Sequence, residues 1–167
     1  LLKKYAHKKW VIDGGSLQTM DPSFIPKNAI LTPHRKEFEM LFGNTLHATR
    51  DTKEDRQRVT SLVSRVAIQH NCTILLKGPT DVVCSKDKCI KIKGGNAGMT
   101  KGGTGDVLAG LVAALYCKND DPFLVASCSS YINKKAGESL FKKVGYYFNA
   151  SDLADEIPRV MKELIAE

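Results

Sequence analysis

The sequence predicts an α/β fold, and three observations carry that reading. Segments with helical spacing of apolar residues alternate with short strand-like runs. One continuous apolar run, Thr73-Ile74-Leu75-Leu76, ends abruptly in Lys77, as a strand buried on both faces does. A glycine-rich turn then leads straight into a strongly apolar helix, an arrangement that offers a ligand the free amides of a helix start.

The elements follow in order. Trp10-Val11-Ile12 reads as a short buried strand ending at Asp13-Gly14-Gly15. Ahead of it, Lys3, Lys4, His7, Lys8 and Lys9 have no aromatic ladder between them and are expected on a solvated helix face. Thr32 is expected to cap a helix with Pro33 in its first position, Phe38, Leu41 and Phe42 on its apolar face and Gly43 as its stop. The next helix is expected over residues 53–70, because Val59, Leu62, Val63, Val66 and Ala67 recur at helical spacing. After the central strand, Gly78-Pro79-Thr80-Asp81 turns the chain. Val82-Val83-Cys84 and Cys89-Ile90-Lys91-Ile92 form a hairpin around Ser85-Lys86-Asp87-Lys88. Val107, Leu108, Leu111, Val112 and Leu115 define an apolar helix. Another starts near Pro122 with Asp121 as its cap, and a third at Ser151, presenting Leu153, Ile157, Met161 and Leu164. Only four or five strands emerge, few for a doubly wound sheet. Residues 1–167 are therefore expected to form one domain that is the C-terminal portion of a larger one, without its N-terminal strands.

Composition narrows the function classes. The chain has 167 residues, 43% of them hydrophobic and 26% charged, as in water-soluble globular proteins. No apolar run approaches the roughly 20 residues that span a bilayer. No long apolar stretch follows Leu1-Leu2-Lys3-Lys4, which argues against a secretory signal and for a cytoplasmic protein. The formal charge of +7 favours an anionic ligand. No helix gathers arginines for base recognition, so a nucleotide is expected and nucleic acid is not. The five cysteines include no Cys-x-x-Cys pair, so no metal site is expected. Cys84 and Cys89 can face one another across the hairpin, but the odd number of cysteines and the expected compartment predict reduced thiols.

The strongest chemical signal is Gly94-Gly95-Asn96-Ala97-Gly98-Met99-Thr100-Lys101-Gly102-Gly103-Thr104-Gly105-Asp106. Its glycines let the backbone approach a ligand closely, and the helix that follows supplies unpaired N–H groups and a positive dipole end. The spacing fits neither the Walker loop nor the dinucleotide fingerprint. The helix start favours ionised Asp106. An ionised carboxylate beside a phosphate would repel it unless it faced another part of the substrate, which points to a base aimed at a hydroxyl. The plain alternative is a flexible loop capped by Asp106. Lys77 closes a strand and can reach a phosphate as a point charge, or can be an exposed lysine. Gly78 to Asp81 can contact a nucleotide through its backbone, or be a simple turn. His34, at a helix start that disfavours imidazolium, suits a neutral hydrogen-bonding role or an exposed surface position. Asp13 ends a strand at the edge where open α/β sheets bind ligands, and can equally cap the local turn.

Four segments together resemble the ADP/ATP-dependent NAD(P)H-hydrate dehydratase family, whose fold is ribokinase-like, a three-layer α/β/α arrangement. They are Val11-Ile12-Asp13-Gly14-Gly15-Ser16-Leu17, Leu31-Thr32-Pro33-His34-Arg35-Lys36-Glu37-Phe38, Leu76-Lys77-Gly78-Pro79-Thr80-Asp81 and the glycine-rich run through Asp106. The resemblance implies dehydration of (S)-NADHX or (S)-NADPHX, with ADP or ATP as co-substrate, Mg²⁺ as cofactor and a homo-oligomeric assembly. The hydrate hydroxyl would be phosphorylated and phosphate then eliminated. It implies Asp106 as the base, and Asn96, Ala97, Gly98, Met99, Thr100, Lys101, Gly102, Gly103, Thr104 and Gly105 around the nucleotide phosphates. Lys77, Gly78, Pro79, Thr80 and Asp81 would also contact the nucleotide, and His34 and Asp106 the hydrated dinucleotide. Where the family often has Asp-Ala-Asp-Ala-Leu, this chain has Asp13-Gly14-Gly15-Ser16-Leu17, so only Asp13 is kept and Gly15 takes no role.

Two other readings use the same turn. A vitamin or sugar kinase of the same superfamily would phosphorylate a small alcohol through Asp106. A non-catalytic nucleotide-binding fragment would bind without turnover. Thr32-Pro33-His34 together with the Gly95-Asn96-Ala97-Gly98-Met99 run fits the dehydratases better.

Overall fold

The structure is a computed structural model and describes residues 1–43 and 52–166. Its sheet has five strands in the spatial order β1-β2-β3-β4-β5, formed by Val11–Ile12, Ile30–Leu31, Thr73–Leu76, Asp81–Cys84 and Cys89–Ile92. The first three are parallel, and β4 and β5 return antiparallel as the hairpin expected. The helices are α1 (Gly15–Thr19), α2 (Arg35–Phe42), α3 (Lys53–His70), α4 (Thr104–Lys118), α5 (Pro122–Val144) and α6 (Ala150–Ala166).

Strand periodicity sorts the core into two layers. Leu31, Ile74, Leu76, Val82 and Cys84 face one side, where they meet Leu17, Phe38, Leu41, Val63 and Val66 of α1, α2 and α3. Ile30, Leu75 and Val83 face the other, against Leu108 and Val112 of α4 and Val125 and Ala126 of α5. Beyond them α6 lays Leu153, Ile157 and Val160 on Leu111, Ile132, Ala136 and Leu140. Helices therefore cover both faces of the sheet, as the expected three-layer α/β/α fold requires.

Several expectations need correction. β2 is only two residues long and was not foreseen, yet it is fully buried between β1 and β3. Thr32 and Pro33 do not start a helix, because they prolong the β2 path. The Thr32 amide donates to Ile12 O, and the Lys77 amide to Pro33 O. The N-cap of α2 is His34 instead, in a capping box with Glu37. The basic residues before Trp10 lie in turns, a bend and irregular backbone rather than on a helix. Lys9 closes the far end of α4 by donating to Tyr116 O and Asn119 O. The Cys84–Cys89 pair is a disulfide and not two reduced thiols, since the two residues stand directly opposite in the hairpin with Cα atoms 4.2 Å apart. Cys72 stays reduced in the core, where burial pushes its thiol up to about 12. Among the described residues, no helix is long and apolar enough to cross a membrane.

Candidate active site

The three parallel strands bring three chemically useful residues to one edge. Asp13 follows β1, His34 follows β2 and Lys77 follows β3, so residues up to 64 positions apart become neighbours. Lys77 Nζ donates to Asp13 Oδ1 at 2.8 Å and lies 3.9 Å from Glu37 Oε2. Glu37 is itself buried. Its Oε2 accepts the His34 amide at 2.8 Å, and its own amide donates to His34 Nδ1 at 3.1 Å. Nδ1 is therefore the acceptor nitrogen of the half-exposed His34 ring, and Nε2 lies 3.5 Å from Glu37 Oε1.

α4 begins next to this cluster. A methyl group on Gly105 would stand 3.4 Å from Lys77 Nζ, which puts the ammonium beside the first turn of α4. The N-cap is Gly103, at φ 87°, and no side chain caps the helix. The amides of Gly102, Gly103, Gly105 and Asp106 have no acceptor among the described residues. Those of Gly103, Gly105 and Asp106 are donors at the helix start that an α-helix cannot satisfy internally, and Gly102 immediately precedes the cap. Asp106 sits in that first turn and not at the cap position. It is exposed, with no hydrogen-bond or ionic partner among the described residues.

The glycine-rich segment is more ordered than a flexible loop. Asn96 caps a 3₁₀ turn over Ala97–Thr100, accepting from the Gly98 amide at 2.9 Å and donating to Gly137 O at 2.7 Å. Gly98 packs so tightly that a side-chain carbon there would stand 2.7 Å from the Phe148 ring. Met99 Sδ lies 2.9 Å from where such a carbon on Gly95 would be, and it fills the notch left by Gly137. Thr104 Oγ1 donates to Met99 O at 2.6 Å and Lys101 O at 2.8 Å, folding the turn back on the helix start. Lys101 donates to Tyr146 O and, at 2.6 Å, to Phe148 O, so its ammonium ties the turn to the α5–α6 corner. Ala97, Thr100 and Gly102 are exposed or carry no side chain that reaches inward.

The second expected segment lies at the end of β3. Gly78 and Pro79 are exposed, Thr80 is half-buried, and Asp81 is buried as the first residue of β4. Asp81 Oδ1 accepts the Gly78 amide at 2.9 Å, and Oδ2 accepts the Ser130 hydroxyl at 2.7 Å. Lys134 of α5 lies 3.3 Å from Asp81 Oδ1 and donates to the carbonyls of Gly78, Pro79 and Gly94. Glu138, one turn on, accepts the Gly95 amide at 3.2 Å. A hydrogen bond from Lys135 holds the Glu138 carboxyl below its ordinary value, burial opposes this, and the Gly95 amide adds to the lowering.

Sequence reasoning passed over Glu37, Ser130, Lys134 and Glu138. Glu37 had a signal, since an acid three residues after a cap completes a capping box. Lys134 and Glu138 had none for this role, because the loop groups they hold, Gly94 O and the Gly95 amide, lie 40 or more residues away.

Comparison with known proteins adds independent findings. Residues 2–159 match the family model described as NAD(P)H-hydrate dehydratase. The chain is 41% identical over 136 residues to the ADP-dependent (S)-NAD(P)H-hydrate dehydratase of Cenarchaeum symbiosum, an alignment covering 81% of this chain and 45% of that protein. The ADP/ATP-dependent NAD(P)H-hydrate dehydratase of Bacillus subtilis, co-crystallised with ATP/Mg²⁺, superposes with a TM-score of 0.77 at 28% identity, over 93% of this chain and 55% of that one. A ribokinase-like superfamily protein of Enterococcus faecalis, 22% identical with a TM-score of 0.72 over 97% of this chain and 57% of its own, shares the fold. The chain thus spans less than half the length of the curated relatives it matches and just over half of the solved structures.

Proposed function

Because the chain belongs to the NAD(P)H-hydrate dehydratase family, we propose that it takes part in ADP- or ATP-dependent dehydration of (S)-NADHX or (S)-NADPHX, with the nucleotide phosphates held at the start of α4. The observation that carries this reading is the group of four unpaired amides beside Lys77, with exposed, unpartnered Asp106 in the same helical turn. Amides and a lysine can neutralise a polyphosphate and the charge that builds up during phosphoryl transfer. Asp106 takes the proton of the hydrate hydroxyl. The freed oxygen forms a bond to the terminal phosphorus as the phosphoanhydride bond breaks, releasing AMP from ADP or ADP from ATP. The C–O bond of the phosphate ester then breaks, phosphate leaving with the bonding pair while a neighbouring carbon loses a proton, which restores the ring double bond.

In this reading the backbone from Asn96 to Gly105 lines the phosphates, and Lys77 to Thr80 adjoin the nucleotide. Asp81 and Lys101 act through the segments they hold, because their charged groups are already engaged. His34, half-exposed at the same sheet edge, adjoins the hydrated dinucleotide. Among the described residues no three carboxylate, histidine or cysteine side chains gather into a metal cage. Mg²⁺ therefore fits as the counter-ion of the nucleotide, bound mainly by phosphate oxygens and water, where it would neutralise phosphate charge. A cytoplasmic setting and a homo-oligomer belong to the same proposal.

The test is incubation of folded protein with NADHX and either ADP or ATP, following the return of reduced-nicotinamide absorbance. Absorbance recovery that depends on nucleotide supports the reading. If neither nucleotide binds to the folded chain, the site assignment fails.

A further inference from the structure

We propose that Lys134 is a positioning residue for the nucleotide site, a buried ammonium that staples the Gly78–Asp81 segment to the Gly94-Gly95 turn. The proposal rests on the nucleotide reading above and adds a residue that neither motif contains.

Lys134 projects from the middle of α5 with its side chain 8% exposed. Its Nζ has four oxygen neighbours, Gly78 O at 3.1 Å, Pro79 O at 3.3 Å, Gly94 O at 3.3 Å and Asp81 Oδ1 at 3.3 Å. Two of the carbonyls belong to the loop after β3 and one to the turn after β5. These two segments flank the antiparallel hairpin and have no hydrogen bond to each other among the described residues. A buried ammonium needs a counter-charge and acceptors for its protons; this one takes its counter-charge and two carbonyls from the loop after β3 and its third carbonyl from the turn after β5, so it bridges the two. Asp81 completes the device from the other side. It takes the Gly78 amide and the Ser130 hydroxyl, so both ends of the loop are anchored to α5. Glu138, one helical turn beyond Lys134, holds the Gly95 amide. α5 therefore acts as a rigid rail on which both approaches to the α4 start are fixed. Gly94 at φ 116° and Gly95 at φ 72° have positive φ, which glycine adopts without steric cost and which leaves the turn many alternative paths when unsupported.

The experiment compares the wild-type chain with Lys134→Met and with Lys134→Met/Asp81→Asn. The first variant keeps the volume of the stem and removes the ammonium. The second also removes the carboxylate that would be left buried without its cation. Amide hydrogen exchange reads the loops directly, without nucleotide. Lys134→Met is expected to speed exchange at least tenfold in both Gly78–Asp81 and Gly94-Gly95 peptides together, with α3 unchanged. Calorimetry is expected to show a tenfold or greater rise in Kd for ADP. The double variant separates positioning from bulk stability. It is expected to recover thermal stability toward the wild type while exchange of the two loops and the Kd stay altered. Exchange and Kd equal to wild type in Lys134→Met would overturn the staple, as would recovery of both in the double variant. Absence of ADP binding in the wild type is a different result, since it removes the nucleotide reading and with it the positioning role, whatever the loops do.

Discussion

Replacing Gly103 by alanine tests the geometry that opens the α4 start. Gly103 holds φ 87° and ψ −21°, and a side-chain carbon there would meet Ala150 Cβ at 2.9 Å. The left-handed backbone costs a non-glycine residue about 1–2 kcal/mol. Forcing a methyl group against Ala150 costs about 1–3 kcal/mol more, because α6 must shift or the turn must reshape. The sum predicts that Gly103→Ala destabilises the fold by about 2–5 kcal/mol. With a urea m-value of about 2 kcal/mol/M, that lowers the midpoint by about 1–2.5 M. The double variant Gly103→Ala/Ala150→Gly should regain the packing part and keep the backbone part. Gly102→Ala is the matched control. Its φ is not positive and nothing lies within 4 Å of the added carbon, so its stability should stay within about 0.5 kcal/mol of wild type. Urea unfolding followed by circular dichroism measures all three. A Gly103→Ala midpoint indistinguishable from that of Gly102→Ala would refute the argument.

Three other perturbations read different parts of the molecule. Asp106→Asn should abolish turnover while calorimetry still shows nucleotide binding, because the amides remain and only the proton acceptor is lost; wild-type turnover would remove the base assignment. Glu156 senses acid. Burial, its strongest single influence, pushes its carboxyl up, but hydrogen bonds from Lys143 and Ser139 and the charges of Lys143 and Arg159 bring it below 4.5. A depressed carboxylate contributes stability above its unfolded value and loses it as pH falls through the folded one. The Tm gap between wild type and Glu156→Gln should therefore close on acidification below about pH 4.5, and a gap that widens would contradict the ion pairs. Reduction of Cys84–Cys89, which are 5 residues apart, should lower stability by about 2 kcal/mol, the loop-closure value for so short a ring, and Cys89→Ser should remove that sensitivity to reductant.

How far the sequence disclosed this molecule depends on the range of each interaction. β3 was legible because an apolar run broken by a charge is a local pattern, and α3 and α4 because their stripes repeat over several turns. β2 was not, because Ile30 and Leu31 are two residues whose strand character comes from neighbours on both sides. The glycine turn and Asp106 could be read as an anion site from order alone, since amides at a helix start need no distant partner. The reverse held for Asp81. In Gly78-Pro79-Thr80-Asp81 it looks like an exposed turn residue, and only Ser130 and Lys134, about 50 positions on, make it a buried anchor. Within Asn133-Lys134-Lys135 the first lysine is enclosed and the next pairs with Glu138 at the surface, a difference set by which side of α5 meets the sheet.

Met99 carries one practical consequence. Its thioether sits half-exposed in the gap between Gly95 and Gly137, with no spare room on either side. Peroxide that converts this sulfur to a sulfoxide adds a polar oxygen where none fits. Oxidation at this position would thus register in the glycine turn, and a reducing storage buffer would not undo it, because sulfoxide reversal requires a dedicated reductase.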